Sequence, residues 1–259
     1  MGGRMQQLIR HPIVLFFISL VLMSAAGWIG SAVLRPRMPI GDTSRDDFKL
    51  VQSATLTLLA LVIGFSLSMA VNRYDQRKNY EEEEANAIGT EFIRADLLPA
   101  SAAAAIRTDL ARYLDLRIQF YQAEDEQRLA EINAATANLQ GKLWNAAASG
   151  ALTQPNPVSA LAVAGMNDVI NTQGYTQAAW WNRVPVAAWI LLLSIGVFAN
   201  MLVGYGAENS KHQGRLLLIM PITVSLSFML IADIDSPRHG IIRVVPQNLI
   251  STTLSLPKP

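Results

Sequence analysis

Cysteine is absent from the 259-residue chain, which excludes disulfides, thiolate nucleophiles and thiolate metal sites. Charge is scarce: 16% of residues are Asp, Glu, Lys or Arg, against about 25% in an ordinary soluble domain. There are 3 histidines, His11, His212 and His239, and their spacing matches no metal-ligand pattern. Neither a nucleophile elbow nor a phosphate loop occurs, so the expectation is a non-enzymatic protein with no cofactor and no metal. A net charge of +1 without a long basic block gives no support for a nucleic-acid partner.

What the chain has in excess is apolar residues, 51% of the total. They gather in four runs, residues 12–34, 50–71, 184–205 and 216–234, each near the roughly 20 residues that cross a bilayer. The pattern predicts an all-α integral membrane protein with the lipid bilayer as its first partner. Residues 1–71 form an N-terminal transmembrane hairpin, residues 72–183 a helical domain inserted between the second and third spans, residues 184–234 a second hairpin, and residues 235–259 a tail.

Ahead of the first run stand Arg4, Arg10 and His11, and Ser24, Ala25 and Ala26 follow, as in a cleavable signal peptide. Apolar character continues through Trp28, Ile29, Val33 and Leu34, longer than a signal core, which favours a retained anchor. Residues 35–49 carry Pro36, Pro39 and Gly41, and so short a loop makes the first two spans antiparallel neighbours. Asp46 and Asp47 suit the positive end of the helix that follows.

The chain is organised around that second helix. Between Val51 and Val71 there is no charge and no proline, residues 72–96 are densely charged, and nothing between them stops a helix. One rod is expected to leave the bilayer and continue into water. Within its span Ser53, Thr57, Ala60, Gly64 and Ser68 form a stripe of small residues, and Thr57, Leu61 and Phe65 an adjacent stripe at intervals of four. Both suit helix packing. Alternatively one lines an aqueous path on an oligomer axis, where apolar rings gate by dewetting. Beyond the membrane come Arg73, Arg77 and Lys78, then the block Glu81, Glu82, Glu83 and Glu84. Pairing of Arg77 with Glu81 and Lys78 with Glu82 along the helix, a solvated acidic face, and an acidic ring in an oligomer are all compatible with this order.

The inserted region reads as helical. Ile106, Leu110, Tyr113, Leu114, Arg117 and Phe120 trace one face, and Leu129, Ile132, Thr136, Leu139, Leu143 and Ala146 another. A further helix over residues 158–180 carries Asn167, Asp168 and Asn171, read as hydrogen-bonding or surface residues. Trp180, Trp181 and Trp189 bracket the entry to the third span as an interfacial belt does. Asp233 and Asp235 close the fourth span at a helix C-terminus beside hydrocarbon, where an unpaired carboxylate is expensive. Arg238, Arg243, Arg73 and Arg77 are the expected partners, with ion coordination as the other reading. Basic residues near the span ends favour cytoplasmic termini and a cytoplasmic helical domain.

The run Gly64-Phe65-x-x-Ser68-x-Ala70-x-x-Arg73-Tyr74-Asp75-x-Arg77, followed by Glu84-Ala85-Asn86-Ala87-Ile88-Gly89-Thr90 and Arg94-Ala95-Asp96-Leu97-Leu98-Pro99, resembles the bestrophin-like bacterial membrane proteins. So does Asp233-x-Asp235-x-Pro237-Arg238-x-Gly240-x-Ile242-Arg243-Val244. The similarity to true bestrophins rests on the four-span order and the Tyr-x-Arg element after the second span. The resemblance implies a homopentameric ion channel of the bacterial inner membrane whose second helices line a narrow apolar neck above a cytosolic vestibule. Thr57, Leu61, Gly64, Phe65 and Ser68 are then the pore-lining candidates, and monovalent ions the cargo. Arg73, Arg77, Glu81, Glu84, Asp233, Asp235, Arg238 and Arg243 are the vestibule-charge and ion-pair candidates. The alternative is a non-conducting scaffold or sensor that binds a protein through its cytoplasmic helices.

Overall fold

The computed structural model describes residues 11–207 and 217–255. Arg4, Arg10 and residues 208–216, with Lys211, His212 and Arg215, lie outside the described residues. Every regular element among the described residues is helical.

Helix α1, Pro12–Arg37, starts with proline at its first position, where the missing N–H is no loss, and contains a π turn at Ile29–Leu34. Helix α2, Arg45–Arg94, is unbroken over 50 residues. Asp46 and Asp47 sit in its first turn and Arg94 in its last, each sign matched to the helix dipole. A 3-10 turn at Ala95–Leu97 and then Pro99 end it, and Pro99 precedes α3, Ala100–Gln122. Helix α4, Glu126–Thr153, is capped by the Asp125 carboxylate, which accepts from the Arg128 N–H at 2.8 Å. Asn156 Oδ1 accepts from the N–H groups of Val158 and Ser159 at 2.8 and 2.9 Å and starts α5, Ser159–Trp181. Helix α6, Val186–Gly206, follows Pro185; α7 is Ile219–Asp235 and α8 is Gln247–Ser255.

Three helical stretches among the described residues, Pro12–Arg37, Arg45–Leu97 and Ser159–Gly206, are long and apolar enough to cross a membrane. Helix α7, where the fourth span is expected, has 17 described residues.

The chain divides into two compact units. The first is Met1–Asn72 with Arg183–Ile242, and the second is Arg73–Asn182 with Arg243–Pro259, so the chain from Arg243 onward joins the inserted region. In the first unit α1 packs against α6 and α7 around Met23, Trp189, Leu192, Phe228 and Ile231, all fully buried. The Trp189 and Phe228 rings meet edge to face at 6.5 Å. Glycines let α1 and α6 touch backbone to backbone: a Cβ on Gly30 would collide with the Met201 carbonyl, and one on Gly204 with the Gly27 carbonyl. The second unit has its own core, in which Ile88 of α2, Ile106, Leu110, Tyr113, Leu114 and Phe120 of α3, Leu143 of α4 and Val169 of α5 lose nearly all solvent contact.

Candidate functional site

The stripe on α2 is open to solvent within the single chain. Ser53, Thr57, Ala60, Gly64 and Ser68 all keep contact with solvent, as do Leu61 (48% exposed) and Phe65 (67%). Leu59, Ser66 and Ala70, on the other side of the helix, are buried. Two of the hydroxyls on the open side bond within their own helix: Ser53 donates to the Leu50 carbonyl at 3.0 Å and Thr57 to the Ser53 carbonyl at 2.9 Å. A Cβ on Gly64 would meet nothing within 4 Å.

Further along α2 the buried positions are 77, 81, 84, 85, 88, 91 and 92, which share one face, and four of these seven are charged. Arg77 donates from Nε to the Ala179 carbonyl at 3.3 Å and from Nη2 to the Asn182 carbonyl at 3.2 Å. Glu81 accepts from the Leu249 N–H at 2.9 Å and from Asn248 Nδ2 at 2.6 Å, so it anchors the start of α8. Glu84 accepts from Arg117 Nε and from Thr176 Oγ1, the latter at 3.1 Å. Glu82 and Glu83 point outward and are exposed. The block of four glutamates is therefore split, two acids serving the core and two facing solvent.

Arg117 lies at the centre of this core with its guanidinium 4.4 Å from the Phe120 ring centroid. Burial alone would lower its pKa, but the Glu84 carboxylate and its hydrogen bond, with Tyr113 and Tyr121 alongside, hold it above the ordinary value. Burial, reinforced by Glu84, raises both tyrosine hydroxyls. Glu91 is also buried, and neither of its carboxylate oxygens has a hydrogen-bond partner among the described residues. Burial pushes its carboxyl up to about 8; Arg94 opposes this and Asp168 adds to it. The space Glu91 occupies exists because residue 165 is glycine: a Cβ there would overlap Glu91 Oε2 and lie 2.7 Å from Arg94 Nη1. Arg94 also reaches Asp168 at 3.9 Å.

Asp233 and Asp235 are buried at the end of α7. Asp233 accepts from the N–H groups of Ile241 and Ile242 at 2.6 and 2.9 Å, which folds residues 236–242 back onto the helix end. Gly240 permits the close return, since a Cβ there would meet the Asp233 carbonyl. Asp235 accepts from the Val184 N–H at 3.1 and 3.0 Å through its two oxygens. These backbone donors are partners that residue-by-residue reading of charges overlooks. Arg73 and Arg238 are half-buried, and Arg243 is exposed and pairs with Glu124. Among the described residues no group of three or more His, Asp or Glu is placed to hold a metal.

Described residues that are helical wherever they are regular, with membrane-compatible helices, one of which runs unbroken from an apolar half into a charged half, define a helical membrane protein. The bestrophin-like domain profile matches residues 21–249, and the chain belongs to the bestrophin-like family. Its fold is similar to that of a bacterial bestrophin homolog from Klebsiella pneumoniae, at 17% identity and TM-score 0.64, covering 95% of this chain and 99% of that one. Two single-substitution variants of that homolog match likewise, one at 16% identity, TM-score 0.66 and 93% and 97% coverage, the other at 17%, 0.64 and 93% and 99%. No curated protein matches.

Proposed function

We propose that this protein is a homo-oligomeric ion channel of the bacterial inner membrane, pentameric, with α2 lining the path. The observation that supports this most is the open stripe of α2. Ser53, Thr57, Ala60, Gly64 and Ser68 put small and hydroxyl side chains and bare backbone outward along one face of an uncharged span. Lipid tails gain nothing from such a surface, whereas a neighbouring helix or a water-filled axis does. Leu61 and Phe65 beside it supply the apolar constriction. Helix α7 serves as the fourth span, the second unit lies in the cytoplasm with both termini, and the outward-facing Glu82 and Glu83 give the vestibule its charge. Monovalent ions are the cargo.

The test is flux through the purified protein in liposomes. Conduction of a monovalent ion, raised by Leu61→Ala and by Phe65→Ala, supports the reading; no flux in either polarity rejects it, and a monomeric mass in detergent removes the shared axis. A non-conducting scaffold is the second reading. It is favoured by an open apolar groove of about 680 Å³ lined by Trp144, Leu152 and Val163 of α4 and α5. Absent flux together with retention of one defined protein, lost on Trp144→Asp, selects it.

A further inference from the structure

A second cavity lies wholly within the first unit, between the end of α1 and the start of α2. It encloses about 350 Å³, and among the described residues its lining includes Arg35, Arg45 and Lys49 and no acidic side chain. Arg35 lines it, and Arg35 Nη1 has no hydrogen-bond acceptor among the described residues. A guanidinium N–H without an acceptor costs free energy until one is brought within its reach. Lys49 meets Asp46 at 3.5 Å, but the Asp46 side chain is 94% exposed and remains on the solvent side. The first turn of α2 adds the positive end of a long helix dipole.

The walls are held in place before any ligand enters. Gln52 Nε2 donates to the Leu202 carbonyl at 3.4 Å, and its amide oxygen is left to accept from a hydroxyl. The Phe48 ring stands edge to face with Tyr205 at 5.3 Å, and Tyr205 in turn donates to the Met38 carbonyl at 2.6 Å. Ile40 and Phe48 give the cavity an apolar flank beside its cationic one. Guanidinium matches a tetrahedral oxyanion through paired N–H groups, and lysine adds a point charge.

We infer that this cavity binds a phosphate group, with Arg35 and Lys49 as its ligands and Gln52 accepting from a neighbouring hydroxyl. Two sources share that chemistry: the headgroup of an anionic phospholipid such as phosphatidylglycerol, and free phosphate.

The experiment uses the full-length protein, delipidated in neutral detergent, with two probes. Native mass spectrometry counts phosphatidylglycerol adducts, and calorimetric titration measures inorganic phosphate. The expected result is that at least one probe binds and that Arg35→Gln lowers its occupancy tenfold or more. Phosphatidylcholine, which carries the same phosphate but no net charge, should bind less. The probe that responds names the source. Arg37→Gln is the control, because Arg37 Nη1 is already engaged with the Val33 carbonyl at 3.2 Å. Should Arg35→Gln fail to fold, Lys49→Gln removes the more exposed cation and is expected to lower occupancy at least threefold. If neither probe binds, if neither folded cavity variant changes binding, or if Arg37→Gln weakens it equally, the inference is overturned.

Discussion

Arg117 of α3 and Glu84 of α2 form an ion pair from which water is wholly excluded, both side chains being 0% exposed. Phe120 covers the guanidinium and Thr176 adds a hydrogen bond to the carboxylate. Nε carries the pairing, while Arg117 Nη1 and Nη2 meet no hydrogen-bond acceptor among the described residues, so the carboxylate is the charge that offsets the buried guanidinium. Breaking the pair from one side should therefore cost more than removing it entirely. Arg117→Met alone is expected to destabilise the protein by about 3–5 kcal/mol. Arg117→Met with Glu84→Leu should recover most of that loss. Thermal melting of the native protein and the two variants in one detergent checks the order; equal loss in the single and double variants would show that the pair is not the source.

Glu91 has the opposite problem, a buried carboxyl whose oxygens meet no hydrogen-bond donor among the described residues. With its folded pKa raised from 4.5 to about 8, the folded protein keeps a proton that the unfolded chain has released across that interval. The unfolded state therefore binds fewer protons than the folded one, and stability falls as pH rises from about 4.5 to about 8, then levels off. Glu91→Gln should gain stability at about pH 8, change little at about pH 4, and flatten the profile between them. Melting temperatures of the two proteins across that range decide it.

Gly30 of α1 and Gly204 of α6 are expected to tolerate no side chain. Gly30→Ala and Gly204→Ala each drive a methyl into facing backbone, so overpacking should cost about 1–3 kcal/mol or more. Gly64→Ala is the contrast: its Cβ meets open space, and in an exposed helix position alanine gains up to about 1 kcal/mol over glycine. Unfolding of the detergent-solubilised protein separates the two classes. An effect of Gly64→Ala on assembly mass alone would report a neighbouring copy.

Asp233→Ala strips two backbone N–H groups of their acceptor at the end of α7. Ile241 and Ile242 are exposed, so water can take the place of the carboxylate and the expected loss is about 0.5–1.5 kcal/mol for each bond. Proteolysis within residues 236–242 should accelerate in the same variant, and unchanged cleavage there would deny the carboxylate its role in closing the turn.

Much of this architecture could be read from residue order. The apolar runs located the long helices, because a bilayer-length stretch without charge has few alternatives. The absence of proline and charge between Val51 and Val71, with nothing to stop a helix beyond, anticipated an unbroken α2, although it starts at Arg45, within residues read as a loop. A clue was also present at Arg117, a charge within the apolar periodicity of α3, which is the mark of a buried pair. Its partner was not legible, because Glu84 lies 33 residues away and only packing brings the two together. Likewise the four glutamates carry no label saying which two turn inward; the stripe through Arg77, Glu81, Glu84, Ile88 and Glu91 decides that, and it depends on where α3 and α5 lie. The amides that hold Asp233 and Asp235 belong to backbone, to which side-chain identity is blind. The cavity beside Arg35 was hidden for another reason: residues 35–49 read as an ordinary turn, and its depth comes from Gly206 and Tyr205, far along the chain.

The π turn at Ile29–Leu34 amounts to a single surplus residue accommodated within α1. Excising it would restore ordinary winding and swing everything on one side by about 100° relative to the other. Leu15, Ser19, Met23 and Ala26 would then face their present neighbours, or Arg35 its hollow, but not both. The bulge acts as a phase adjuster, letting one helix serve two partners whose positions do not share a common screw.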